Sequence, residues 1–255
     1  MTTQRVVVTG AAQGIGRAIA ERFAKGGAHL HVCDLAADGL ADMLAANPAI
    51  RGSVADVGDP SSVEKLFAEA FAWLGGIDVL VNNCGIAGPR LPIEQISYAD
   101  WDRTLAVNLS GMFYCIKQVV PRMKAQNSGT IINISTESTR VGIPLRAPYV
   151  ASKRGVEGLT YNCARELGPF NIRCNAILPG AISNPRGQRL VALQAEARGI
   201  SYEEAEAGFL KYISMGAWIE PAEIAEMAFF LASEAARHIT AQNIAVSGNV
   251  EWETS

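Results

Sequence analysis

The sequence predicts an α/β fold in which a doubly wound, seven-stranded parallel sheet carries helices on both faces. Three observations predict it. Short β-branched runs alternate with longer stretches of helical period, the runs are too uniformly apolar for a sheet with one wet face, and a glycine-rich turn follows the first run directly.

Taken in order, residues 5–8 make the first strand, and the turn Thr9-Gly10-Ala11-Ala12-Gln13-Gly14-Ile15-Gly16 opens a helix over 15–25. Strands follow at 30–33, 50–55, 77–81, 130–134, 172–178 and 243–246, with helices at 35–46, 61–74, 98–124, 149–167 and 222–233. Each connection is long enough for a crossover, so each strand can join in parallel and each helix can cover one face. The rhythm breaks at residues 181–218, an insertion with helical period around 188–198 and 203–212. Insertions of this size in a compact α/β fold are lids or substrate loops. The reading is therefore a single domain over residues 1–255, with 181–218 as its substrate-loop insertion.

A net charge of -3, with 18% charged and 49% hydrophobic residues, lacks the basic stripe that nucleic-acid binding needs. Residues 1–5 run straight into a strand without a signal-peptide h-region, and no apolar run is long enough to span a bilayer, so the expected location is cytoplasmic and no membrane partner is expected. The five cysteines, Cys33, Cys84, Cys115, Cys163 and Cys174, are odd in number and mostly inside apolar runs, as buried reduced thiols are. His29 and His31 fit strand alternation better than a metal site, and no metal is expected.

In the turn, Gly10, Gly14 and Gly16 permit positive φ and close approach of a pyrophosphate to the backbone, while the helix N-terminus stabilises its charge. With Gln13 and Ile15 they form a strand–turn–helix unit of the dinucleotide-binding, or Rossmann, kind. Asp34 ends the second strand about twenty residues on, where a carboxylate accepts hydrogen bonds from the adenosine ribose. It also repels a 2′-phosphate: at about 4 Å and an effective dielectric near 20, a like-charge pair costs on the order of 4 kcal/mol before screening. Neither Gln13 nor Leu35 offers a cation, so the cofactor expected is NAD rather than NADP. Asp34 can also cap a helix from Leu35 onward, a reading that does not compete.

The segment Pro148-Tyr149-Val150-Ala151-Ser152-Lys153 places a proline in a first helical turn, with Tyr149 and Lys153 on one face four residues apart. A phenol of pKa near 10 is a poor base at neutral pH, and lowering it by roughly three units takes about 4 kcal/mol. An ammonium about 4 Å away supplies energy of that order. The pair is thus able to carry acid–base chemistry on a carbonyl or alcohol.

Together, residues 9–16, Asn82-Asn83-Cys84-Gly85, Asn108, the Tyr149/Lys153 pair and Pro179-Gly180 resemble the short-chain dehydrogenase/reductase family over nearly the whole chain. The resemblance implies a homo-oligomer, tetramer or dimer, that interconverts a secondary alcohol and a ketone. It implies Tyr149 as general acid/base, Lys153 lowering its pKa and holding the nicotinamide ribose, and Asn108 keeping a proton-relay water. It implies that Asp56 and Val57 touch adenine, that Asn83 and Gly85 line the ribose side, and that Pro179, Gly180 and Ile182 grip the carboxamide. Three positions depart from the pattern. Cys84 replaces an alanine, Asn184 replaces a threonine, and the hydroxyl usually given by a serine thirteen residues before the tyrosine is Thr136. Ser138 is the alternative for that hydroxyl, and strand alternation turns Ser135 away.

The mouth of such a site would be built from residues 137–148 and 181–218, which carry Arg140, Arg146, Arg186 and Arg189. Arg146 and Arg186 are placed to hold a carboxylate, sulfonate or phosphate by a forked contact. The substrate expected is a polar small molecule, neutral or anionic, such as a sugar, sugar acid or hydroxy acid. Two alternatives stand beside this: a cis-dihydrodiol dehydrogenase on the same scaffold, and a non-catalytic NAD-binding sensor. The short Tyr–Lys spacing disfavours an enoyl reductase, since those of the resembling superfamily separate the pair more widely.

Overall fold

The structure is a computed structural model that describes residues 3–251, the side chain of Arg186 excepted. The chain runs β1 (Arg5–Thr9), α1 (Gly14–Lys25), β2 (His29–Asp34), α2 (Ala37–Ala46), β3 (Arg51–Val54), α3 (Pro60–Leu74), β4 (Val79–Asn82), α4 (Tyr98–Leu105), α5 (Gly111–Gln126), β5 (Gly129–Ile134), α6 (Ser138–Val141), α7 (Ala147–Leu167), β6 (Ile172–Pro179), α8 (Pro185–Arg198), α9 (Tyr202–Leu210), α10 (Pro221–Leu231) and β7 (Asn243–Val246). The strands form one seven-stranded sheet in the order β3-β2-β1-β4-β5-β6-β7, and every pairing is parallel. The order reverses between β1 and β4, the point at which doubly wound sheets open a crevice at their carboxyl ends.

Alternation along each strand divides the core in two. Val6, Val8, Val79, Val81, Ile132 and Ile134 face α1 and α10, where Ile19, Phe23, Ile224 and Leu231 meet them. Val7, Leu80 and Ile131 face the other way, against Leu66, Phe67, Ile116, Val119 and Leu167 of α3, α5 and α7. Full burial of each such side chain contributes about 1.5–3 kcal/mol. Among the described residues no helix is long and apolar enough to cross a membrane.

Three local features depart from the sequence reading. The helix expected over 98–124 is α4, a π turn at Ala106–Ser110 and then α5, because the buried side chain of Asn108 in that turn bonds to the backbone of Ile86. Asp34 does not cap α2: its Oδ1 accepts the N–H of Ala36 at 3.0 Å, and the helix starts after Ala36, without a side-chain cap. The four-residue turn α6 is too short to leave a period in the sequence. Within the insertion, α8 and α9 pack on a small cluster of their own, Val191, Ala195 and Ala205 with Phe209 and Trp218.

One buried group away from the crevice makes stability depend on pH. His31 on β2 is 4% exposed. Its Nε2 lies 2.8 Å from Ser53 Oγ, whose hydroxyl donates to Glu69, and its Nδ1 has no partner among the described residues. Burial lowers its pKa, with Glu69 opposing. The folded state therefore binds this proton less readily than the unfolded chain, so stability is lost as pH falls below about 6.5, the ordinary histidine value. A Tm series from pH 7.5 to 5 should fall, each 1 kcal/mol reading as about 2–4 °C, and His31→Gln should flatten part of the slope. Identical slopes for the two proteins would refute the assignment.

Candidate active site

At the carboxyl end of β1 the chain turns through Gly10 and Gly14, with φ of 68° and 58°. Gly16 sits where a Cβ would run into the Gly10 carbonyl, and Gly10 where a Cβ would meet Cys84 Cα at 3.1 Å. The turn is held from β4: Asn83 Nδ2 donates to the carbonyls of Thr9 (3.1 Å) and Gly10 (2.9 Å), and Thr9 Oγ1 accepts the N–H groups of Asn83 and Cys84 at 3.0 and 3.1 Å. Asn83 thus braces the glycine turn as well as lining the crevice. Gln13 is the residue before α1 and makes no side-chain cap.

Asp34 belongs to the same unit. Its Oδ2 accepts Ala12 N–H at 2.9 Å, tying the end of β2 to the glycine turn, while Leu35 beside it is 59% exposed. Further along the sheet edge, Asp56 accepts from Gly58 N–H at 2.8 Å and pairs with Arg103 at 2.9 Å. Val57 is buried in the core.

The second half of the site is built on α7 and the end of β5. Pro148 lies in the first turn of α7 and the helix carries Tyr149, Ser152 and Lys153 toward the crevice. Lys153 is 3% exposed and its Nζ donates to the Ile134 carbonyl at 2.7 Å. Burial lowers its pKa to about 8, with the Cys84 thiol opposing. Gly85 fits against this ammonium: a Cβ there would lie 3.1 Å from Nζ and 3.3 Å from Asn108 Oδ1. Asn108 is fully engaged, accepting from Ile86 N–H at 2.7 Å and donating to the Ile86 carbonyl at 2.9 Å and to Ser152 Oγ at 3.0 Å. Ser152 in turn donates to the Tyr149 carbonyl.

Thr136 and Ser138 lie together, Oγ1 to Oγ 3.0 Å apart, with Ser138 N–H donating to Thr136 Oγ1 at 3.3 Å. Ser135 donates instead to Glu157 and the Lys153 carbonyl, away from the pair. Ile15, Asn83, Gly85, Thr136, Ser138, Arg146, Tyr149, Lys153, Pro179, Gly180 and Ile182 all line one cleft of about 750 Å³. Gly10, Gln13, Gly14, Gly16, Asp34, Leu35, Asp56, Val57 and Asn108 do not line that cleft. Asn108 lies buried behind it, the others beside it along the ends of β1 to β3.

The insertion roofs this cleft, and here sequence reasoning missed residues. Trp218 stacks on Phe209 with ring centroids 5.1 Å apart and donates to Glu206 at 2.8 Å. Ile213 forms an antiparallel bridge with Val250, Met215 N–H donates to the Gly248 carbonyl and Glu251 N–H to the Tyr212 carbonyl. Val250 therefore lines the cleft, although more than thirty residues separate it from the insertion's end. Arg146 Nη1 donates to the carbonyls of Ala87 (3.3 Å), Gly88 (3.0 Å) and Pro89 (3.5 Å), so it braces the loop after β4. Asn184 caps α8 by accepting from Gly187 N–H. The Arg186 side chain lies outside the described residues.

A family model described as enoyl-(acyl carrier protein) reductase matches residues 10–250. The 3-oxoacyl-(acyl-carrier-protein) reductase of Thermotoga maritima is 34% identical over 96% of this chain and 96% of its own. The D-threitol dehydrogenase of Mycolicibacterium smegmatis is 38% identical over 95% of this chain and 90% of its own. This chain belongs to the short-chain dehydrogenase/reductase family. Among solved structures of the family, an actinorhodin polyketide ketoreductase determined with NADPH superimposes with a TM-score of 0.90 at 32% identity, covering 96% of each chain. As a member of the family the protein is an oxidoreductase of secondary alcohols and ketones that uses a nicotinamide nucleotide. The glycine turn fits such a group, since it packs closely at Gly10 and Gly16, leaves open space at Gly14 and leads directly into the N-terminus of α1, where backbone N–H groups favour a phosphate.

Replacing Gly16 by alanine should therefore abolish nucleotide binding, read by NADH fluorescence titration, since a Cβ there displaces Gly10. Gly14→Ala meets open space and bears only its positive φ, which costs of order 1–3 kcal/mol. Equal weakening by the two changes would show that the crowding at Gly16 is not what matters.

Proposed function

We propose that the protein is an NAD-dependent dehydrogenase/reductase interconverting a secondary alcohol and a ketone on a polar, anionic small molecule, a sugar acid or hydroxy acid. The observation that carries the cofactor choice is Asp34, whose carboxylate is fastened to the glycine turn through Ala12 N–H. It presents acceptors where an adenosine ribose would lie and a repelling charge where a 2′-phosphate would lie. Gln13 and Leu35 beside it supply no cation.

Tyr149 acts as general base in oxidation, taking the substrate hydroxyl proton on Oη, and as general acid in reduction. Bound NAD supplies the acceptor for the hydrogen leaving the alcohol carbon, and the donor for its return. Lys153 stabilises the phenolate as an ammonium and holds the nicotinamide ribose. Thr136 donates to the substrate oxygen. The side chain of Asn108 being engaged, its part in holding a relay water passes to its backbone carbonyl in the π turn. Pro179, Gly180 and Ile182 hold the carboxamide, and Asp56 and the Val57 backbone the adenine.

The anionic substrate is supported by the charge of the cleft. Among the described residues, Arg90, Arg146, Lys153, Arg198 and Lys211 line it against the one carboxyl of Glu137, in a chain whose net charge is -3. A cleft of one sign in low-dielectric walls concentrates ligands of the other. We read the protein further as cytoplasmic and as a homo-oligomer, tetramer or dimer; the exposed aromatic residues Tyr98, Trp101, Phe113 and Tyr161 on α4, α5 and α7 support association.

With a panel of hydroxy acids, sugar acids and their neutral analogues, NAD⁺ reduction followed at the absorbance of NADH should favour the acids. Tyr149→Phe should lower kcat by about 10²–10⁴ with NADH binding retained. Asp34→Ser should raise the NADP⁺/NAD⁺ ratio of kcat/KM by roughly tenfold to a hundredfold. A wild type that prefers NADP⁺, or an active Tyr149→Phe protein, would overturn the corresponding part.

A further inference from the structure

Thr136 and Ser138 are two hydroxyls 3.0 Å apart at the wall of the cleft, and the backbone N–H of Ser138 also reaches Thr136 Oγ1 at 3.3 Å. Each hydroxyl has one proton and two acceptor positions. Between the two oxygens there is room for one proton, and which residue gives it decides what each presents to a ligand.

As the side chains stand, Thr136 Oγ1 donates to Ser138 Oγ and has no proton free for a substrate oxygen; hydroxyl protons rotate, so the pair can reverse. For Thr136 to donate to the reacting oxygen, as the proposed function requires, Ser138 must give its own. Thr136 Oγ1 then accepts from both the N–H and the O–H of Ser138, which fills its two acceptor positions and leaves its proton as the outward donor. Ser138 Oγ then has its proton engaged, and its remaining lone pairs are what it can offer to a ligand in the cleft that both residues line. It is an acceptor only, and it sits one hydrogen-bond length from the oxygen that binds the reacting group. That separation matches the spacing of oxygens on adjacent carbons.

We infer that Ser138 accepts a hydrogen bond from a substrate hydroxyl on the carbon next to the reacting one, so that the enzyme selects vicinal diols and their α-hydroxy ketones over isolated alcohols and ketones. The inference rests on the proposed alcohol–ketone reaction with Thr136 as donor. It names the group adjacent to the reacting carbon and is independent of the anionic end. In it Thr136 and Ser138 are not alternatives for one role. Ser138 orients the threonine and reads the neighbouring hydroxyl.

The test compares 3-hydroxy-2-butanone with 2-butanone, reduced with NADH by the wild type and by Ser138→Ala and Ser138→Thr. The wild type should prefer the hydroxy ketone by about tenfold or more in kcat/KM. Ser138→Ala, which also loosens Thr136, should slow both substrates but collapse the ratio severalfold, while Ser138→Thr, which keeps the oxygen, should retain it. A wild type without preference, or a ratio that survives in Ser138→Ala, overturns the inference while leaving the alcohol–ketone reaction standing. If no alcohol or ketone of a broad panel turns over although NADH still binds, the proposed function fails and the inference fails with it.

Discussion

Two carbonyl groups at the end of β1 hold this site together. Those of Thr9 and Gly10 leave the sheet just where its order reverses, and both are bound by the amide of Asn83 from β4. One side of that contact carries the glycine turn and Asp34, and the other leads through Gly85 and Asn108 to α7. A buried carbonyl left without its donor costs about 1–3 kcal/mol, so the amide both satisfies the strand end and fixes the distance between the nucleotide half and the chemical half. The same device recurs two strands on, where Lys153 Nζ donates to the Ile134 carbonyl. The functional side chains are positioned by unfinished strand ends.

Much of this was legible in the sequence because it rests on local rules. A parallel sheet buried on both faces writes near-continuous apolar runs, and a tight βα turn writes glycines where no Cβ fits, so strands, turn and the partner acid Asp34 could be read in order. Tyr149 and Lys153 were legible through helical spacing behind a proline. What escaped depends on long-range contacts. The break in the long helix follows from Asn108 bonding to Ile86, over twenty residues earlier, and no local period records it. Arg146 has a basic side chain suited to a ligand, yet loop carbonyls of residues 87–89 take one of its nitrogens. Val250 entered the cleft through a bridge to Ile213 that neither segment announces.

The proposed alcohol–ketone reaction rests on Tyr149 and Lys153 standing one helical turn apart on α7, with the hydroxyls of Thr136 and Ser138 lining the same cleft. The departure at Cys84 is a half-buried side chain packed against the core, next to the backbone that Gly10 approaches.

The lacing of residues 248–251 onto 212–215 ties the substrate side of the cleft to a distant stretch of chain. The glycine turn is braced separately, by Asn83 and Asp34. A loosening of either laced stretch therefore opens the substrate wall while the hydrogen bonds that shape the nucleotide turn stay in place, so the two halves of the site answer to different parts of the sequence.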